Sequence, residues 1–200
     1  MKILDNLSCY SKKYPVNKLK PLVKASSAFQ EFGQIGKKLI NTVDNEVESI
    51  FTKYNVKEIR DKTMISGMTY KKDIQNRIFK ATNFTREEIA NGEGILFQKF
   101  KENLHPTLLN RLNKHILKVR AKNVLASESD ILRAGRAGAH GEIRVLNDLL
   151  WEIDPKGLLG EQIFNDIVGY NRFLRNGAEA IQPPCVHCYY LTSGVKFIGF

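Results

Sequence analysis

Two short segments, His140-Gly141-Glu142 and Pro184-Cys185-Val186-His187-Cys188, place the strongest constraint on how this chain can fold. An imidazole and a pair of thiols are soft metal ligands, and they serve one ion only if the chain brings two distant segments together. Each segment stands where a helix is expected to start. Ile143, Leu146, Leu150 and Ile153 recur at helical spacing after His140 and stop at Asp154-Pro155, while Pro183-Pro184 lead into the C-x-x-C run. Two cysteines one helical turn apart at a helix N-terminus can face the same point. The positive end of the helix dipole favours their thiolates.

The rest of the chain supplies the layers such a meeting requires. Phe32, Ile35, Leu39, Val43, Val47 and Ile50 mark an amphipathic helix, with Ser27 and Gln30 as its expected capping box. Gly33 and Gly36 suggest that its firm part begins near Lys37, and Asn55-Val56 mark its end. Thr63–Tyr70 and Arg77–Asn83 read as a strand pair around the polar run KKDIQN. Thr85 and Glu88 form a second capping box, with Phe84 and Ile89 as its hydrophobic staple. Pro106 opens a helix bearing Leu108, Leu112 and Ile116. Residues 127–138 read as an arginine-containing loop of small residues. Asp166–Leu174 and Val195–Phe200 read as strands, Asn176-Gly177 as a turn, and Gly194 as the end of a short helix. Helices alternating with strands in this order predict an α/β layered domain over residues 26–200. Residues 1–25, rich in lysine and broken by Pro15 and Pro21, read as a basic linker or arm.

Composition excludes several classes. A chain of 200 residues with 42% hydrophobic and 26% charged residues is globular rather than disordered. No run approaches the roughly 18 apolar residues needed to span a bilayer, so no membrane insertion is expected. The N-terminus lacks the apolar stretch of a signal peptide. Three cysteines make no disulfide framework. The formal charge is +10, but residues 1–125 carry +12 and residues 126–200 carry −2. That asymmetry suits a polyanionic partner such as nucleic acid, or an acidic inhibitor protein.

On these grounds His140, Cys185 and Cys188 are the expected ligands of one Zn2+, leaving a fourth position for water. Glu142 is then placed to move protons between that water and a substrate nitrogen. The ordered pair H-x-E and P-C-x-x-C is the signature of zinc-dependent nucleobase deaminases. The cysteines alone are also compatible with a redox pair, or with a structural zinc site that includes His187.

The segments AHGEIRVLNDLL and PPCVHCYYLTSGVKFIG, with Asn103-Leu104-His105-Pro106 followed by Leu109 and Leu112, resemble the YwqJ-like deaminases. These are toxin modules of bacterial polymorphic secretion systems within the cytidine-deaminase superfamily. The resemblance spans residues 37–200. It implies a three-layer cytidine-deaminase-like fold: a mixed sheet with helices on both faces and a helical insert before the zinc helix. It further implies one zinc ion, Glu142 as proton shuttle, and a module of a larger exported protein that acts in the cytoplasm of a target cell, with a cognate immunity protein as a possible partner. Gly141 stands where such proteins commonly have Ala, a change expected only to loosen the helix.

The expected reaction is cytosine to uracil in DNA or RNA. A free nucleoside or nucleotide deaminase and a non-catalytic, zinc-stabilised nucleic-acid-binding module are the alternatives. Candidate substrate contacts are Asn83, where related deaminases place a group near the substrate sugar and which also reads as a plain turn asparagine, and Arg133 and Arg136, which can grip phosphate or stand solvated in their loop. Asn147 can serve the zinc loop or merely neighbouring backbone, and Tyr189 can stack on an extruded base or pack in the core. Outside the motif pair, His105 is expected to cap or pack and His115 to be solvated.

Overall fold

Two strands whose residues alternate between two helical layers form the centre of the molecule. A computed structural model describes residues 20–21, 24–90, 94–122, 137–174 and 180–200. Strands β2 (Met64–Tyr70) and β4 (Ile167–Phe173) pair antiparallel along their whole length, from Met64 opposite Phe173 to Tyr70 opposite Ile167. Both are buried almost throughout, as expected of strands covered on two faces. Strand β3 (Phe79–Thr82) pairs with the outer edge of β2. Beyond β4, β5 (Ala180–Ile181) pairs antiparallel through Arg172 opposite Ile181, and β6 (Lys196–Phe197) pairs parallel through Val168 and Gly169. The sheet is therefore mixed.

The expected hairpin forms with shorter strands. Its turn is organised by Asp73, whose carboxylate accepts hydrogen bonds from the Gln75 and Arg77 amides and from the Arg77 guanidinium. The last strand is shorter than residues 195–200. A further two-residue strand, β1 (Lys20–Pro21), pairs antiparallel with β5 inside the segment read as an arm. The remainder of that segment up to residue 23, the loop residues 123–136 and the Asn176-Gly177 turn lie outside the described residues.

Helix α1 (Ala25–Lys53) covers one face of the sheet, burying Leu39, Val43 and Val47 against Ile65, Val168 and Tyr170. Lys24 occupies its N-cap and no side chain caps it, so the expected Ser27–Gln30 box does not form. Gly33 breaks its course at φ 66° and ψ −153°, a conformation open to glycine alone. Helix α2 (Val56–Lys62) follows immediately, started by Asn55 and Glu58 in a capping box that the sequence reading passed over.

The opposite face carries the helix that begins at the H-x-E motif, α6 (Gly141–Ile153). It buries Ile143, Leu146 and Leu150 against Met68, Ile167 and Phe197. The insert between β3 and α6 contains α3 (Arg86–Ile89), α4 (Ile95–Glu102) and α5 (Pro106–Lys122). The Thr85–Glu88 box forms as expected, and Pro106 opens α5. Helix α7 (Val186–Leu191) begins at the C-x-x-C motif and packs against α5. Helix, sheet and helix thus form the three layers of an α/β domain.

Candidate metal centre

Both helices that carry the candidate ligands start with one of them in extended backbone as N-cap, His140 for α6 and Cys185 for α7. His140 is the N-cap of α6 and makes no side-chain cap. The cap comes instead from Asn83 at the end of β3, whose Oδ1 accepts the Gly141 amide proton at 2.7 Å while its Nδ2 donates to Thr63 Oγ1 at 2.5 Å. The His140 ring is thereby released toward the thiols, with Nδ1 3.2 Å from Cys188 Sγ and 3.4 Å from Cys185 Sγ. Cys185 is the N-cap of α7, and its sulfur accepts the Cys188 amide proton at 3.4 Å.

Gly141 has a stricter role than its place in a helix requires. A Cβ there would lie 2.7 Å from the Ala81 carbonyl oxygen and 3.1 Å from Ser66 Oγ. The first turn of α6 rests directly on β2 and β3, so the expectation that an alanine is interchangeable here is corrected. Arg144 fastens the same turn by donating to the Thr82 carbonyl at 2.7 Å and lying over the Phe84 ring.

The three candidate ligand atoms all lie within 4.8 Å of one another, the one such group among the described residues. Donors around a tetrahedral zinc lie roughly 3.3–3.8 Å apart, given bond lengths of about 2.0–2.3 Å. Imidazole nitrogen and two sulfurs in this spacing fit that ion. Both cysteines are buried and free of disulfide bonding.

Glu142 projects from the first turn of α6 and is fully buried, and neither carboxylate oxygen forms an ion pair or accepts a well-formed hydrogen bond from a side-chain nitrogen or hydroxyl, the Cys188 thiol being the polar side chain beside it. Burial pushes its carboxyl above the ordinary carboxylate range, an effect opposed chiefly by the adjacent His140. Two other buried oxygens outside hydrogen-bonding geometry occur on this face of the sheet, Ser66 Oγ and Asn171 Oδ1, on residues directly opposite each other in β2 and β4. Asn171 Nδ2 donates to the Gln182 carbonyl, in the approach to Cys185.

Helix α5 holds α7 in place through two residues to which the sequence reading assigned no such role. Arg111 donates to the carbonyls of Leu191 and Ser193 at the end of α7, pairs with Glu161, and lies 3.6 Å over the Phe164 ring. His115, expected to be solvated, is buried, with Nε2 2.8 Å from Nδ1 of His187. Its place on a polar helix concealed the packing, because its partner lies 72 residues away. His187 turns toward α5 rather than joining the ligand group.

The other expected contacts divide. Asn147 is spent on backbone: Oδ1 accepts from the His105 amide at 2.8 Å and Nδ2 faces the Asn103 carbonyl. His105 packs edge-on to Trp151, with Nε2 2.7 Å from the Asp154 carbonyl, in the capping and packing role expected of it. Tyr189 is 66% exposed on α7, immediately after the second cysteine. Arg133 and Arg136 lie outside the described residues.

No helix among the described residues is long and apolar enough to cross a membrane. No family model, curated protein or solved structure matches the chain.

Proposed function

We propose that this protein is a zinc-dependent deaminase that converts cytosine to uracil in nucleic acid. The observation that carries the reading is the buried carboxylate of Glu142, without a cationic partner, in the first turn of the helix capped by His140, whose ring meets both thiols. A structural metal site has no use for such a group, whereas hydrolysis of a C–N bond needs a proton carrier beside the nucleophile. The cytidine-deaminase-like fold and the zinc belong to the same proposal. They are supported by the mixed sheet between helical layers and by the donor set.

His140, Cys185 and Cys188 would hold the ion, which supplies Lewis acidity that makes water nucleophilic near neutral pH. Glu142 takes a proton from the attacking water and passes it to the ring nitrogen as oxygen bonds to the ring carbon that bears the amino group. It then carries the remaining proton to the amino group as the C–N bond breaks. Water is consumed, ammonia leaves, and the base gains a carbonyl. Both thiols belong to the same buried apolar cluster as Ile143, Leu146 and Leu191, an environment that limits bulk water at the reacting groups. A base in a duplex must leave the stack to reach this centre. The role of an exported effector held in check by an immunity protein rests on the family resemblance.

The test is to incubate zinc-loaded protein and Glu142→Gln with single- and double-stranded DNA and RNA and to sequence the products. Cytosine-to-uracil changes that vanish in the variant, with zinc content unchanged, are expected. Full activity in Glu142→Gln would refute the mechanism, and unfolding of the domain by chelation without any turnover would favour a zinc-stabilised binding module.

A further inference from the structure

Helix α7 presents to solvent a row of rings that neither the metal centre nor the core uses. Tyr189 is 66% exposed and Tyr190 48%. Their rings meet edge to face at 6.1 Å, and the His115 ring lies stacked against Tyr190 at 5.1 Å and 28°. His115 is in turn fixed by His187 at 2.8 Å, so Tyr190 has a rigid backing from α5. Desolvation, with His187 and Lys118 nearby, holds the His115 imidazole uncharged at neutral pH.

The surroundings of this row are basic. The sequence of α5 contains Arg111, Lys114, Lys118, Arg120 and Lys122 and no acidic residue. Arg111 and Lys114 share Glu161, whereas Lys118 is exposed and has no ion pair among the described residues. Exposed aromatic faces beside unpaired cations are the combination that binds single strands: bases stack on the rings and phosphates meet the cations.

We propose that Tyr189 and Tyr190, backed by His115 and flanked by Lys118, form a stacking platform for single-stranded nucleic acid. The platform rests on the deaminase reading only in its destination. Tyr189 directly follows the candidate ligand Cys188, so the platform and the metal centre share helix α7. A free nucleotide would leave these rings unused, and a duplex would keep its base faces covered.

The platform is tested by fluorescence anisotropy with labelled single-stranded DNA, single-stranded RNA and a duplex. The full chain is loaded with zinc and carries Glu142→Gln so that binding is read without turnover. Tyr189→Ala is expected to weaken single-strand binding by about 5- to 150-fold, the range for loss of one base–aromatic stack, and Tyr189→Trp to retain it. Lys118→Ala should lower the slope of log K against log salt by about 0.7. Ile74→Ala, on the exposed β2–β3 turn, should leave binding as it was. Single-strand binding that survives Tyr189→Ala intact, or a duplex bound as tightly as a single strand, would overturn the platform. Tyr189-dependent binding by a chain whose parent deaminates nothing would overturn the reaction and leave the platform standing. Deamination with Tyr189-independent binding would do the reverse.

Discussion

The two faces of the central sheet are packed from similar aliphatic residues but differ in how a buried carboxylate is met. On the α1 face, Arg172 projects among Val168, Tyr170 and Ile181, and its charge is met by Asp44 from the helix above, with the Tyr170 hydroxyl beside the pair. Both faces keep buried oxygens outside hydrogen-bonding geometry, Tyr170 Oη on the α1 face and Ser66 Oγ, Asn171 Oδ1 and the Glu142 carboxylate on the α6 face, but the Glu142 carboxylate has no arginine or lysine partner among the described residues. An unsatisfied buried group typically costs about 1–3 kcal/mol, and a carboxylate without a cation costs more; Ser66, Glu142 and Asn171 are held at that cost. These three accompany the start of α6, where His140 meets the thiols. One face is an anchor in which a carboxylate's charge is cancelled, and the other is a site in which a carboxylate remains available.

The largest expected contrast comes from removing one group from each face. Cys188→Ser should abolish zinc binding and turnover while the α1 layer stays folded. Leu39→Ala, fully buried beneath α1, should cost roughly 2–5 kcal/mol of unfolding free energy with zinc content per folded chain unchanged. Denaturant melts paired with metal analysis of the folded fraction check both, and a crossed result would break the division between anchor and site.

A smaller effect is expected where the site rests on the sheet. Gly141→Ala should cost about 1–3 kcal/mol and lower zinc affinity, because the added methyl meets the Ala81 carbonyl and must shift α6. Asn83→Ala should cost about 0.5–2 kcal/mol through loss of the cap on the Gly141 amide. Thermal melts with and without chelator separate the two outcomes. Only the zinc-loaded form should lose extra stability if these residues position His140.

These residues also mark where the sequence was legible. The ligand group could be read because its chemistry is confined to two motifs whose helix starts are announced by their own residues: a proline pair before Cys185 and an apolar period after His140. The α/β layering followed from the same periodicities. Asn83 drew attention for a different role, since an asparagine after a strand does not disclose that it will cap a helix 58 residues away. Gly141 looked interchangeable with Ala because the near approach of Ala81 is a property of the assembled sheet. Helix α2 was missed because Asn55 reads equally as the end of one helix and the start of the next. Arg111 gave no signal, its partners being backbone carbonyls that carry no side-chain signature.

An effect absent at neutral pH and confined to acid concerns the seam between α5 and α7, which joins the site to the insert. Burial, reinforced by His187 and Lys118, lowers the His115 pKa to about 4 from its ordinary 6.5. Above pH 6.5 the ring is neutral in both folded and unfolded chains and contributes no pH dependence. As pH falls from 6.5 toward 4, the unfolded chain takes up a proton that the folded chain refuses, so stability is lost across that window and levels off below it. His115→Gln should flatten this part of the stability–pH curve while leaving the α1 face and its Asp44–Arg172 pair untouched. Urea midpoints for parent and variant between pH 4 and 7 provide the check. Parallel curves would mean that His115 is hydrated in solution and that α7 is held to α5 by Arg111 without it.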